Sequence, residues 1–232
     1  MTRILHPSDE ATTADVRREL DAGNRVLLLV RHSERPRIDN EDTTFGESLP
    51  LTANGSRMAV AFGEMLRGAS DDVSFRASPL RRTVLTAERV AEGMGLAGAE
   101  VVRDARIGNG SAFVESARRL WELFRDGSFF EKMEEYMARG VQYGFNPLGP
   151  ATDAFEEYAL SVFTSRLGVF VTHDLYIAAF LHARGVKTDF CFENWPCFLD
   201  SAAIVVEPTG RVRHALVRAG LSDLVCGVAT EE

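Results

Sequence analysis

The stretch Val26-Leu27-Leu28-Leu29-Val30-Arg31-His32-Ser33-Glu34-Arg35 sets five aliphatic residues directly against three cationic or nitrogen-rich side chains. The aliphatic run does not alternate, so both of its faces are covered, which is the mark of a parallel strand inside a helix-covered sheet. A strand ordinarily gives out in glycine, asparagine or serine. Arginine and histidine at its tip point instead to a ligand, because open α/β sheets bind ligands outside the carboxyl ends of their strands.

Working outward, strands and helices alternate on both sides of this stretch. Upstream, residues 14–22 form a helix capped by Thr13, with Val16 and Leu20 on one face and a stop at Gly23. Downstream, a polar loop leads to a helix capped by Thr52, carrying Met58, Phe62, Met65 and Leu66 at helical spacing and closed by Gly68. Residues 73–77 read as a strand. Ser78-Pro79 then opens a helix that runs to about Gly93, with Leu80, Val84, Ala87 and Ala91 in one stripe. A short strand follows near 99–103.

From about residue 112 to 165 helix follows helix without a strand. This segment is read as a cap insert, and its aromatic residues Phe113, Trp121, Phe124, Phe129, Phe130 and Tyr136 as the cap's own core. The alternation resumes with a strand at 169–172, then His173-Asp174, then a helix ended by Gly185. Residues 202–207 and 211–217 are joined by Pro-Thr-Gly, too short for a crossover, and form an antiparallel pair. The expected architecture is α/β: one domain over residues 1–232, three layers α/β/α around a mostly parallel sheet, with the helical cap over one end.

Composition narrows the function classes. The 232 residues carry a formal net charge of -8, which argues against nucleic acid as a partner, because a phosphate backbone needs a basic face. An anionic substrate must be attracted locally, by a few cations in a cleft. No apolar run approaches the roughly 20 residues that span a bilayer, so no membrane association is expected. The first residues lack the basic start and apolar centre of an export signal. Three cysteines, Cys191, Cys197 and Cys226, cannot pair completely and are read as reduced, in a cytoplasmic setting. Cys191 and Cys197 have no neighbouring histidine, so neither a metal site nor a cofactor is expected.

By the sheet rule, Arg31-His32, the turn after residue 77 and His173-Asp174 open into one crevice. Two histidines, several arginines and one carboxylate, without a thiol or a metal cluster, suit phosphoryl transfer. The guanidinium fork matches two phosphate oxygens at once and offsets charge on the equatorial oxygens. An imidazole can be the nucleophile, and a carboxylic acid can protonate the departing oxygen.

The chain resembles the histidine phosphatase superfamily. The Arg-His of its signature stands at Arg31-His32-Ser33, its helix-opening S-P-L-x-R-x-x-x-T-A at 78–87, its L-T-x-x-G segment at 51–55, and its second histidine at His173. The resemblance makes His32 the phosphorylated nucleophile, and Arg31, Arg82 and His173 the phosphate pocket. Arg35, in R-H-x-x-R, and the His173-Asp174 pair resemble the acid-phosphatase-like branch, in which the aspartate is the proton donor and a third arginine binds phosphate. The mutase-like branch instead uses a mid-chain glutamate, and Asn109 stands there. Ser33 replaces the usual glycine and is placed beside the phosphate as a possible donor. These likenesses imply a metal-independent phosphomonoester hydrolase acting on a small molecule. The alternatives are a phosphomutase, a phosphohistidine-protein phosphatase, or a phosphate-binding protein without turnover. The leaving group and the oligomeric state stay open at this level.

Overall fold

The computed structural model describes residues 10–39 and 41–221; Cys226 and His6 lie outside them. The elements are β1 (Glu10–Ala11), α1 (Thr13–Asp21), β2 (Arg25–Arg31), α2 (Ala53–Leu66), β3 (Val73–Ala77), α3 (Arg81–Met94), β4 (Val101–Arg103), α4 (Ala117–Phe124), α5 (Phe129–Arg139), α6 (Leu148–Val162), β5 (Leu167–Thr172), α7 (Asp174–Ala183), β6 (Ser201–Val206) and β7 (Val212–Val217). The strands form one sheet in the order β1-β7-β6-β2-β5-β3-β4. β2, β5, β3 and β4 run parallel, and β6 is antiparallel to both β2 and β7. No helix among the described residues is long and apolar enough to cross a membrane.

The unbroken apolar run of β2 has the expected consequence: Val26 to Val30 are all buried, and alternate residues enter two different cores. Val26, Leu28 and Val30 pack with Leu20, Phe62, Val84 and Val90 of α1, α2 and α3. Leu27 and Leu29 pack on the opposite face with Phe155, Ile177 and Phe180 of α6 and α7. The three layers follow directly. α6 belongs to this second core, which also takes in Leu120 of α4 and Met133 and Tyr136 of α5; α4 and α5 in addition border the cavity at the carboxyl ends of β2 and β5.

Several element ends differ from their sequence signals. Thr12 rather than Thr13 precedes α1, its N–H donating to Asp15 Oδ2 at 2.8 Å. Ser78 does not cap α3. That helix starts at Arg81 behind Leu80, and Ser78 continues the strand ladder, its N–H donating to the Val171 carbonyl at 3.0 Å. α3 runs past Gly93 to Met94 and turns out at Gly95, with φ of 84°.

Gly93 is needed for another reason. α2 and α3 cross with their backbones touching, so that a Cβ on Gly63 would stand 2.1 Å from the Val90 carbonyl oxygen and one on Gly93 2.0 Å from that of Val60. Neither contact is tolerable without separating the helices. Gly63→Ala and Gly93→Ala should each cost about 2 kcal/mol or more, seen as a lower urea midpoint at unchanged slope.

Candidate active site

Three strand ends make the floor of the site. β2 and β5 pair with Arg31 opposite Thr172, and β5 and β3 pair with Val171 opposite Ala77. The His32 N–H donates to the Thr172 carbonyl at 3.0 Å, carrying the ladder one residue past β2, as Ser78 does past β3. His32, His173 and Ser78 therefore leave the sheet side by side. The two imidazole rings meet edge to face with centroids 5.5 Å apart, and His173 Nε2 lies 3.0 Å from Ser78 Oγ. A Cβ on Gly108 would stand 2.6 Å from that of Ser78, so the glycine leaves room for this pair.

Hydrogen bonding assigns the imidazole protons. His32 Nδ1 lies 2.8 Å from the Ser33 carbonyl, which can only accept, so the proton sits on Nδ1 and Nε2 keeps its lone pair. Arg82 can only donate, and its NH2 lies 3.4 Å from His173 Nδ1. The proton of neutral His173 therefore sits on Nε2 and is donated to Ser78 Oγ. That hydroxyl is 3.1 Å from Thr83 Oγ1, whose own proton goes to the carbonyls of Ser78 and Leu80. Burial first, and then Arg82 and the other cations of the site, hold both imidazoles well below their usual value of 6.5.

Arg31, Arg35 and Arg82 border the same cavity, of about 290 Å³. Each guanidinium is braced on one side by the chain. Arg31 NH1 donates to the Pro196 carbonyl at 2.5 Å and its guanidinium stacks over Phe198 at 4.4 Å. Arg82 NH1 donates to the carbonyls of Phe45 and Gly46 at 3.0 and 2.9 Å, and Arg35 NH1 to that of Pro36 at 2.8 Å. The Nε–H of all three is buried without a partner among the described residues. Burial and neighbouring cations press Arg82 down to about 9 and Arg35 to about 10, with Asp174 acting the other way. Both stay charged at neutral pH. Among the described residues that line the cavity, Asp174 is the sole carboxylate; its Oδ2 accepts from Arg31 NH2 at 3.1 Å and from Trp195 Nε1 at 3.2 Å. Three guanidinium groups against one carboxylate leave the site cationic in an acidic chain.

The residues expected at the site thus stand as follows. Arg31, His32, Arg35, Arg82, His173 and Asp174 meet at one cavity. Arg82 turns inward at 4% exposure, whereas Arg81 is exposed on the loop side. Ser33 departs from the expectation. Its hydroxyl donates to the Gly55 carbonyl at 2.7 Å, its N–H to Thr86 Oγ1 at 3.0 Å, and it does not line the cavity. The side chain braces the loop against α2 and α3 instead of facing a phosphate.

The L-T-A-N-G segment serves the same bracing. Thr52 caps α2 by accepting from the Gly55 N–H at 2.8 Å and donates its hydroxyl to Glu34. A Cβ on Gly55 would lie 2.2 Å from the Glu34 carbonyl oxygen. The cap aromatics also differ from their reading as core. Phe113 and Tyr136 are buried, but Phe124, Phe129 and Phe130 line the cavity. Sequence reasoning missed Trp195, Pro196 and Phe198, which brace Arg31 and Asp174 from a segment more than 160 residues beyond β2. Trp195-Pro196 was the only local signal. Phe45 was missed as well; its positive φ of 55° turns its carbonyl and that of Gly46 onto Arg82.

A family model described as the histidine phosphatase superfamily, branch 1, matches residues 27–111, the segment that holds Arg31, His32 and Arg82. That segment is similar to the histidine phosphatase superfamily, and solved structures share the fold of most of the chain. The chain is similar to mycobacterial hydrolase 2, with 17% identity over 86% of this chain and 94% of that one and a TM-score of 0.56. It is similar to the mycobacterial glucosyl-3-phosphoglycerate phosphatase bound to VO3, with 18% identity, 84% and 100% coverage and a TM-score of 0.55. It is also similar to the phosphoglycerate mutase of Bacillus anthracis, with 16% identity, 84% and 92% coverage and a TM-score of 0.52. No curated protein matches. The superfamily unites phosphatases and mutases, whose common chemistry is phosphoryl transfer. Kinship with its acid-phosphatase-like branch, expected from Arg35 and the His-Asp pair, is not confirmed, since the matching model is that of branch 1.

Neutral buried imidazoles make this histidine phosphatase fold pH-sensitive. Unfolding releases His32 and His173 to their ordinary value of about 6.5, so below that pH the unfolded chain binds protons that the folded one does not. Stability is therefore full above about pH 6.5 and falls as the pH drops below it. Thermal melts between pH 7.5 and 5 should show that fall, and a His32→Asn/His173→Asn double variant should flatten it.

Proposed function

We propose that this chain is a phosphomonoester hydrolase that works through a phosphohistidine on His32. The observation that carries the reading is the bond from His32 Nδ1 to the Ser33 carbonyl. It leaves Nε2 unprotonated in a cavity bordered by three guanidinium groups whose Nε–H donors lack partners among the described residues. In the first step the Nε2 lone pair forms the N–P bond, the P–O ester bond breaks, and its electron pair leaves on the alcohol oxygen. Asp174, in its acid form, gives that oxygen a proton. In the second step water forms the new P–O bond, the N–P bond breaks, and the water proton passes to the Asp174 carboxylate.

Arg31, Arg35 and Arg82 hold the equatorial oxygens, and His173, expected on the phosphate, is instead a positioning residue for Arg82, because its Nε2–H goes to Ser78 and its Nδ1 faces the Arg82 guanidinium. Trp195 is a positioning residue for Asp174 through its indole N–H. Asn109 borders the cavity where a mutase-like glutamate would act, but its Oδ1 accepts from the Tyr176 hydroxyl at 3.0 Å and an amide supplies no acid. This favours hydrolysis with Asp174 as donor over a mutase.

Rapid quench with a ³²P-labelled monoester should trap an acid-labile phosphoprotein in the native chain and none in His32→Asn. Free phosphate should exceed any isomerised product; the reverse would make the chain a mutase. Asp174→Asn should lower kcat by about 10²–10⁴ on alkyl monoesters, and far less on 4-nitrophenyl phosphate, whose leaving group needs no proton. Equal losses on both substrates would remove Asp174 from the role of acid.

A further inference from the structure

Above its cationic floor the cavity changes character. Phe45, Leu120, Phe124, Phe129, Phe130 and Leu175 make its walls, and Asn109 is the one polar residue among the described lining residues apart from the phosphate end. The Asn109 carbonyl oxygen is already engaged by Tyr176. The aromatic rings form a continuous, largely edge-to-face set: Phe124 and Phe129 have centroids 5.0 Å apart at a tilt of 55°, Phe129 and Phe130 5.0 Å at 90°, and Phe129 and Phe130 lie 5.5 and 5.4 Å from Trp195. The indole N–H of Trp195 reaches Asp174. The wall on which a leaving group would rest is therefore continuous with the group that holds the proton donor.

Resting on the hydrolase reading, we propose that this site selects phosphomonoesters of apolar, ring-bearing alcohols. A sugar or glycerate leaving group would lose water from its hydroxyls or carboxylate and find only the Asn109 amide N–H as a partner on these walls. A planar hydrocarbon ring would extend the edge-to-face set and shed its own apolar surface. The volume of about 290 Å³ admits one such ring beside a phosphate.

Ethyl phosphate and phenethyl phosphate test the proposal, because their alcohols are of similar acidity and differ in the ring. With the full chain, kcat/KM for phenethyl phosphate should exceed that for ethyl phosphate about tenfold to a hundredfold, and 3-phosphoglycerate should fall below both. Calorimetry with phenethylphosphonate and ethylphosphonate should give the same order of affinity without turnover. In Phe129→Ser the phenethyl-to-ethyl ratio should fall to within about threefold of one, and in Phe129→Leu most of it should remain. A ratio within one protein does not depend on how much of it is folded. Equal rates on the two esters with equal phosphonate affinities, or 3-phosphoglycerate as the best substrate, would overturn the inference while leaving the hydrolase reading intact. The phosphonate order without hydrolysis or phosphoenzyme would support the apolar site and overturn hydrolysis instead.

Discussion

Mutual repulsion among buried cations is the constraint around which the site is organised. Two like charges about 6 Å apart repel by roughly 3 kcal/mol at an effective dielectric near 20, and Arg31, Arg35 and Arg82 share a small cavity with Asp174 as the only carboxylate among its described lining residues. The fold sustains this by bracing each guanidinium with carbonyl oxygens: Pro196 for Arg31 and, from the loop between β2 and α2, Pro36 for Arg35 and Phe45 with Gly46 for Arg82. On the proposed hydrolase reading, a phosphate dianion would relieve the repulsion and give the Nε–H groups an acceptor, as preorganised charges do for an anion.

Burial, reinforced by the same crowding, explains the two histidines. Desolvation first, and then repulsion from these arginines, holds His32 and His173 neutral, and the Ser33 carbonyl decides which nitrogen of His32 is free. Ser33 contributes through its backbone and through a hydroxyl anchored on Gly55. The loop after β2 is consequently fixed on three sides: by the sheet ladder, by α2 through Gly55 and Thr52, and by α3 through Thr86. The glycines in these contacts act through close approach, where a side chain would force the loop from the helix.

The cavity is divided in physical character: residues at the strand ends and in the first turns of α3 and α7 supply its charge, and α4 and α5 supply an apolar wall. On the proposed hydrolase reading, phosphate capture would depend on the charged end, and discrimination among alcohols on the apolar area of the wall.

The sequence by itself determined the sheet and the membership of the site. An unbroken apolar run at 26–30 requires cover on both faces whatever surrounds it, and strand ends in such sheets gather at one edge, so Arg31, His32, His173 and Asp174 were legible as neighbours. The resemblance of residues 78–87 to S-P-L-x-R-x-x-x-T-A likewise singled out Arg82. What only the tertiary structure decided was set by contacts between segments far apart in the chain, which leave no local pattern. Ser33 was read toward the phosphate, yet its hydroxyl goes to Gly55, 22 residues on. Phe124, Phe129 and Phe130 were read as core because helical spacing shows which face of a helix is apolar, not whether that face meets protein or a cavity. Trp195 and Phe198 reach the site only because β6 returns beside β2, antiparallel to it, and brings the segment before β6 to the carboxyl end of β2.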